Sequence, residues 1–300
     1  MADTSQRENV IEIDEAALRR WPLPIPEGDG GKEARGRVLV VAGSCELPGA
    51  AVLAATAALR AGAGKVTIAT PASIARAMAF AVPESLVIAL DETDDGTIAA
   101  NAGRALEKLV GKTAAVLIGP GLPNHASTCE LTAAIVAKFS DACIVVDAAA
   151  MDVVRQNEQQ MRFSRPVILT PHAGEMAHLS GADKDAVTAD PQAAALEAAR
   201  AWNTMVVLKG AITHIAAPDG RLWRHEGGNF GLGTSGSGDV LSGIIAGLLA
   251  RGAPLEQASA WGVALHARAG DALAQRLGPL GYLAREIPAE VPALMAALAR

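Results

Sequence analysis

Beyond a polar, proline-punctuated lead that ends near Gly36, apolar runs alternate with helix-forming stretches. Arg37–Ala42, Lys65–Thr70, Leu86–Leu90, Ala114–Ile118, Cys143–Asp147, Val167–Thr170 and Met205–Lys209 read as strands. Each is almost continuously apolar, the pattern of a strand covered on both faces. Between them, helices are predicted at Pro48–Arg60, about Thr97–Leu109, about Ala126–Phe139 and Pro191–Trp202. Strand–helix alternation predicts a parallel sheet with right-handed crossovers and helices on both faces. Thr213–Ala217 and Arg221–His225 flank a Pro218-Asp219-Gly220 turn, so the far edge is predicted to be antiparallel. A glycine-rich loop, Gly227–Gly238, then leads into a helix over Asp239–Arg251. Two more helices follow, near Leu255–Leu277 and Ala289–Ala299. No linker, repeat or low-complexity block interrupts residues 37–300, which are expected to form a single domain behind a lead of residues 1–36.

Composition narrows the picture. Half of the 300 residues are hydrophobic and 19% are charged, enough for a sizeable core and a solvated surface. The formal net charge of −6 argues against a general nucleic-acid or anionic-membrane binder. Aromatics make up only 3%, which offers no stacking platform for single-stranded nucleic acid. The longest run without an acidic or basic residue, Thr113–Cys129, is broken by Gly119, Pro120, Gly121 and Pro123, and does not read as a membrane span. The N-terminus has no apolar signal core, and Cys45, Cys129 and Cys143 show no metal or disulfide spacing. A cytoplasmic protein with reduced thiols is expected.

In open α/β sheets ligands bind beyond the carboxyl ends of the strands. Several strands here end in small or polar groups: Ala42-Gly43-Ser44, Gly119-Pro120-Gly121, Asp147, Thr170-Pro171-His172 and Lys209-Gly210. Any one of these serves equally well as an ordinary turn; their convergence on one sheet edge suggests a site. The strongest local signal is Gly231–Gly243, GLGTSGSGDVLSG. Glycine-rich backbone entering a helix presents free N–H groups and a partial positive charge, which suits phosphate. Asp239 read alone is a helix cap. Capping does not explain Gly231, Gly233, Gly236 and Gly238 just before it. A carboxylate beside a phosphate cradle is electrostatically costly, but useful if it takes the proton from an attacking hydroxyl. No GK[ST] follows, so the loop is not a Walker A motif, and the loop after the first strand lacks the dinucleotide fingerprint.

GLGTSGSGDVLSGIIAGLLARG resembles the signature of ribokinase-like kinases, in which Gly-Ser-Gly-Asp forms an anion hole and catalytic base. Five further stretches resemble the ADP/ATP-dependent NAD(P)H-hydrate dehydratases within that superfamily. They are GRVLVVAG with the PGAAVLAATAALRAGAGKVTIATP that follows it, IGPGL, LTPHAGEMAHLSG, VVLKGAITHIAAPDG and LHARAGDALAQRLGPLGYLAREIP. They occur in the family's order and span about residues 36–290.

The resemblance implies a ribokinase-like three-layer α/β sandwich, mostly parallel with an antiparallel edge. It also implies a metabolite-repair lyase that restores the 6-hydroxy hydrate of NADH or NADPH, using ADP or ATP as phosphoryl donor with Mg²⁺. The hydroxyl would be phosphorylated and then lost as phosphate. Asp239 is the implied base, with Gly236, Ser237 and Gly238 holding the transferred phosphoryl group. Ala51, Gly121, His172 and Asp239 are the implied hydrate contacts. Lys209, Gly210, Ala211, Ile212, Thr213 and Gly238 are the implied nucleotide contacts. No metal-ligating side chains are assigned. A homotetramer is implied, and a separate epimerase chain as functional partner. On the residues alone, Lys209 is equally well a solvated lysine, and His172 a turn or capping histidine with Glu175 as a first-turn dipole partner. His125, His178, His214, His225 and His266 show no ligand-like spacing and are expected to be structural or surface residues, although His266 falls in the family-like LHARAG stretch.

Some positions depart from the family pattern. A common Asp-Ala-Asp-Ala-Leu is Asp147-Ala148-Ala149-Ala150-Met151 here, so the second acid is missing at Ala149. Thr-Gly-Gly is Thr234-Ser235-Gly236, so either Ser235 has negative φ or it accepts strain. The aromatic often found before Pro-Gly-Ala is Leu47, and the usual Lys-Gly-Ser-His-Lys-Gly lead is replaced by Gly28-Asp-Gly-Gly-Lys-Glu-Ala-Arg-Gly36. Two rival readings stay open at this point. One is a vitamin-precursor or sugar kinase that shares the Gly-Ser-Gly-Asp loop; the other is a nucleotide-binding regulatory module without turnover.

Overall fold

A computed structural model describes residues 10–25, 31–155 and 162–299; Gly28–Gly30 of the lead lie outside the described residues. In chain order the elements are β1 (Val10–Glu12), α1 (Glu15–Arg20), α2 (Gly31–Ala34), β2 (Arg37–Val41), α3 (Pro48–Arg60), β3 (Lys65–Pro71), α4 (Ala72–Ala81), β4 (Ser85–Leu90), β5 (Ala115–Ile118), α5 (Ala126–Lys138), β6 (Cys143–Val146), β7 (Ile168–Leu169), α6 (Ala173–Ser180), α7 (Lys184–Ala189), α8 (Pro191–Trp202), β8 (Met205–Leu208), β9 (Ile212–Ala216), β10 (Leu222–Glu226), α9 (Ser237–Ala250), α10 (Leu255–Leu277) and α11 (Ile287–Leu298). The strands form one sheet in the order β1-β10-β9-β8-β7-β6-β5-β2-β3-β4. The pairs from β8 round to β4 are parallel, while β9 runs antiparallel to both β8 and β10.

The continuous apolar runs produce three layers because successive side chains on a strand point to opposite faces. Val38 and Val40 pack with Ala54, Ala57, Ile244 and Leu248 on one side. Leu39 and Val41 pack with Leu131, Ile135, Ala199 and Trp202 on the other. Each fully buried Val, Leu or Ile contributes roughly 1.5–3 kcal/mol, so a strand apolar at every position stabilises both layers. Alanines and glycines let α9 come very close to α3. A Cβ at Gly243 would stand 2.3 Å from the Ala54 carbonyl oxygen, and one at Gly247 2.4 Å from that of Ala58.

Some elements differ from the sequence expectation. The lead supplies β1 and α1. Val10 pairs with Leu222 in parallel, and Ile13 and Leu18 are buried in the core. β1 is three residues long and its partner lies far along the chain, so no local periodicity marks it. The stretch between Thr70 and Leu86 holds α4, the crossover that the parallel β3–β4 pair requires. The helix predicted over Thr97–Leu109 is a 3-10 helix, Ala100–Leu109. Helix α9 begins two residues earlier than predicted, at Ser237, with Gly236 as its N-cap. No helix among the described residues is long and apolar enough to cross a membrane.

Candidate functional site

The turns after β6, β7 and β8 and the loop between β10 and α9 enclose a cavity of about 820 Å³. Its wall includes Asp147, His172, Glu175, Lys209, Thr213 and Asp239, with the glycine-rich backbone of residues 227–238. The cradle forms because Gly236 takes φ +86°, which lets the chain turn sharply into α9. Leu53 of α3 covers Gly236, leaving 2.4 Å for a Cβ there. Among the described residues only Ala148 and Asn203 are non-glycines with positive φ, so Ser235 keeps negative φ and the glycine beside it takes the turn.

Asp239 sits in the first turn of α9 and lines the cavity. Burial and the Asp147 carboxylate push its pKa up to about 7, against the opposing pull of Lys209. A carboxyl at that value accepts a proton near neutral pH and releases it again readily. Lys209 lies at the end of β8, where its Nζ is 3.7 Å from Asp147 Oδ1 and 3.7 Å from Glu175 Oε2. Asp147 is only 3% exposed and accepts a 2.6 Å hydrogen bond from the Thr170 hydroxyl. A Cβ on Gly238 would stand 3.5 Å from Lys209 Nζ, so the lysine adjoins the cradle. The result is one ammonium among three carboxyl groups beside a row of helix N–H groups, a place for an anion that brings its own compensating cation.

His172 is a cap and a cavity residue at once. Its Nδ1 accepts from the N–H groups of Gly174 (3.0 Å) and Glu175 (3.1 Å), and Glu175 Oε2 accepts from the His172 N–H at 2.7 Å. This capping box leaves Nε2 as the protonated ring nitrogen. A smaller space of about 280 Å³ adjoins the cavity, sharing Ala148, His172 and Glu175 with it and lined also by Ala149 and Asp152.

The sequence-predicted residues divide. Asp239, Gly236, Ser237, Gly238, His172, Lys209, Gly210, Ala211 and Thr213 line the cavity. Ala51, Gly121 and Ile212 are not on its wall. Ala51 is fully buried in α3 and touches the Gly43 turn, and Gly121, with φ +68°, closes against Gly43 and Ala50. The structure adds His225, Asn229, Phe230 and His266 to the wall. His266 Nε2 is 2.9 Å from Ser237 Oγ, and burial lowers its pKa to about 4. The two partners are 29 positions apart and belong to different helices, α9 and α10, so no spacing announced the contact. The other histidines are spread out: His125 caps α5, His178 lies 3.0 Å from Asp152, and His214 is buried in β9. The three cysteines are unpaired.

A family model described as NAD(P)H-hydrate dehydratase matches residues 38–293. The chain belongs to the NAD(P)H-hydrate dehydratase family. It is 50% identical over 294 residues to an ADP-dependent (S)-NAD(P)H-hydrate dehydratase of Xanthomonas campestris pv. campestris, covering 97% of this chain and 98% of that protein. The crystal structure of the Bacillus subtilis ADP/ATP-dependent NAD(P)H-hydrate dehydratase, co-crystallised with ATP/Mg²⁺, superimposes with a TM-score of 0.84 at 29% identity, covering 97% of this chain and 99% of that one. A ribokinase-like superfamily protein of Enterococcus faecalis gives the same TM-score at 26% identity, with 97% of each chain covered. The sandwich is therefore ribokinase-like.

Proposed function

We propose that this NAD(P)H-hydrate dehydratase family member is a lyase that repairs the (S)-6-hydroxy hydrate of NADH or NADPH at the expense of a nucleoside phosphate, ADP in the first instance. Supporting this are membership of the family and, above all, a carboxyl poised near pH 7 at the mouth of a glycine cradle. Hydroxide is a poor leaving group and phosphate a good one, so elimination becomes feasible once the hydroxyl is phosphorylated. Asp239 takes the hydroxyl proton as the oxygen attacks the terminal phosphorus. The bond to the departing nucleotide breaks, and AMP leaves if ADP is the donor. N–H groups at Gly236, Ser237 and Gly238 hold the transferred phosphoryl charge. The phosphate then departs from the ring carbon with its bonding electrons, the neighbouring carbon gives up a proton to water, and the electrons of that C–H bond restore the ring double bond.

In this reading Lys209 through Thr213 and Gly238 hold the nucleotide, and His172 offers its Nε2–H to the hydrate. Ala51 in α3 and Gly121 after β5, both beside the Gly43 turn, are the further hydrate contacts of this reading. Among the described residues no group of three or more His, Cys, Asp or Glu side chains is arranged to hold a metal. The carboxylates of Asp147 and Glu175 in the cavity nevertheless suit a Mg²⁺ that arrives on the nucleotide phosphates, where it supplies charge neutralisation. A cytoplasmic homotetramer served by an epimerase on a separate chain completes the proposal; light scattering in solution tests the tetramer.

The deciding experiment mixes the protein with NADH hydrate and ADP or ATP, following the reduced-nicotinamide absorbance and released orthophosphate. Recovery of the band with one orthophosphate per turnover is expected. Phosphorylation of a hydroxymethylpyrimidine or sugar without recovery would make the protein a small-molecule kinase. A nucleotide-induced rise in melting temperature without any orthophosphate would make it a regulatory module.

A further inference from the structure

Aromatic residues are scarce in this chain: four Phe, four Trp and one Tyr. Phe139, Phe163, Trp202, Trp223, Trp261 and Tyr282 are buried in the core. Phe230 is the opposite case, 91% exposed while lining the large cavity. Phe80 is also exposed but lies on α4, away from that cavity. A bare phenyl ring forgoes the burial that usually justifies it, so its surroundings matter.

The turn that carries Phe230 is anchored from below. Asn229 Oδ1 accepts from the Gly231 N–H at 2.9 Å and from the Tyr282 hydroxyl at 2.8 Å. Asn229 Nδ2 donates to Asp271 Oδ1 at 3.0 Å, and Asp271 Oδ2 accepts from the Gly228 N–H at 3.3 Å. Gly231 lies so close to the Tyr282 ring that a Cβ would stand 2.3 Å from it. Phe230 is thus held out on a tethered turn between two residues that face inward. Strand register places this turn beside the stretch assigned to the nucleotide. Glu226, the last residue of β10, pairs with Ile212, so the chain leaving β10 runs alongside Gly210 and Ala211. Lys209, Gly210, Ala211 and Phe230 share the cavity wall.

We propose that Phe230 is the face on which the base of the nucleotide stacks, making it a residue that sets affinity for a nucleobase-bearing donor over bare polyphosphate. The proposal rests on the nucleotide reading given above. Stacking needs a planar, polarisable partner at the cavity mouth, and the tethered turn fixes the backbone that carries the ring. The cradle and Lys209 recognise phosphate; Phe230 recognises what is attached to it.

Calorimetric titration of the intact protein with ADP and with tripolyphosphate tests the proposal. Phe230→Ala is expected to weaken ADP binding by roughly ten-fold and to leave tripolyphosphate binding unchanged. Phe230→Trp is expected to keep ADP affinity, and its indole emission to be quenched as ADP is added. Unchanged ADP affinity in Phe230→Ala overturns the proposal, whether or not the oligomeric state changes. Equal weakening of both ligands overturns it too, because the ring would then act on the cradle rather than the base. If the unaltered protein binds tripolyphosphate and ADP equally well, stacking is refuted while the phosphate cradle stands. Failure of the unaltered protein to bind ADP at all would instead remove the nucleotide reading on which the proposal depends.

Discussion

His266 Nε2 lies 2.9 Å from the hydroxyl of Ser237 and 3.1 Å from its carbonyl oxygen. A carbonyl only accepts, so Nε2 carries the proton and shares it between the two oxygens. The Ser237 hydroxyl proton is then free to turn toward an anion in the cradle. A histidine from α10 thereby organises the first residue of α9.

If the two act together, His266→Ala and Ser237→Ala should each lower kcat/KM by roughly five-fold, the worth of about one hydrogen bond. The double variant should be no slower than either single one. Additive losses would show that the pair does not work as a unit. The sign of the pH effect follows from the lowered pKa, about 4 against an ordinary 6.5. The unfolded chain holds more protons between those values, so this histidine favours folding above pH 6.5 and opposes it progressively down to pH 4. His266→Gln should therefore flatten the fall in melting temperature across that window.

The raised pKa of Asp239 has the reverse sign. The folded state binds the proton more tightly, so the carboxyl favours folding below about pH 3.8 and loses that contribution as pH rises through about 7. Asp239→Asn should melt higher than the unaltered protein at pH 8, bind nucleotide nearly normally, and turn over no hydrate. Normal turnover would remove Asp239 as the base.

The two charges that tune Asp239 should move the activity profile in opposite directions. The kcat/KM of the unaltered protein should fall below about pH 7. Asp147→Asn should shift this limb to lower pH, because Asp147 raises the Asp239 pKa, and Lys209→Ala should shift it higher. A limb that stays put in both variants would mean that another group governs it.

Lys209→Ala also takes away the cation between Asp147 and Glu175. Nucleotide affinity should fall by roughly 1.5–3 kcal/mol, the range for a hydrogen bond to a charged group. Hydrate affinity should change less. Equal weakening of both ligands, measured by calorimetry, would count against the Lys209–Thr213 stretch as the nucleotide site.

Two glycines on the paired helices should respond in opposite ways to alanine. Gly243→Ala drives a methyl group against the Ala54 carbonyl and should cost roughly 1–3 kcal/mol while loosening the base of the cradle helix. Gly49→Ala, in the first turn of α3 with nothing within 4 Å, should be neutral or stabilising. Thermal melts of the two variants compare them directly.

Much of this protein is legible along the chain itself. Apolar runs at every position of a strand require covering layers on both sides, so the strands between Arg37 and Leu208 and the layered class follow from local pattern. Glycines before a helix start require a turn and leave N–H groups free, so the cradle at Gly236–Asp239 is also a local property. Contacts between distant segments are another matter. The pairing of Val10 with Leu222, the hold of His266 on Ser237, the three carboxyl groups around Lys209 and the outward set of Phe230 arise only when separate loops meet at one sheet edge. Burial decides the Asp239 pKa, and burial is a property of everything packed around a residue. Sequence periodicity reports on neighbours within a few residues, whereas a site joins side chains whose distance is set by the sheet order.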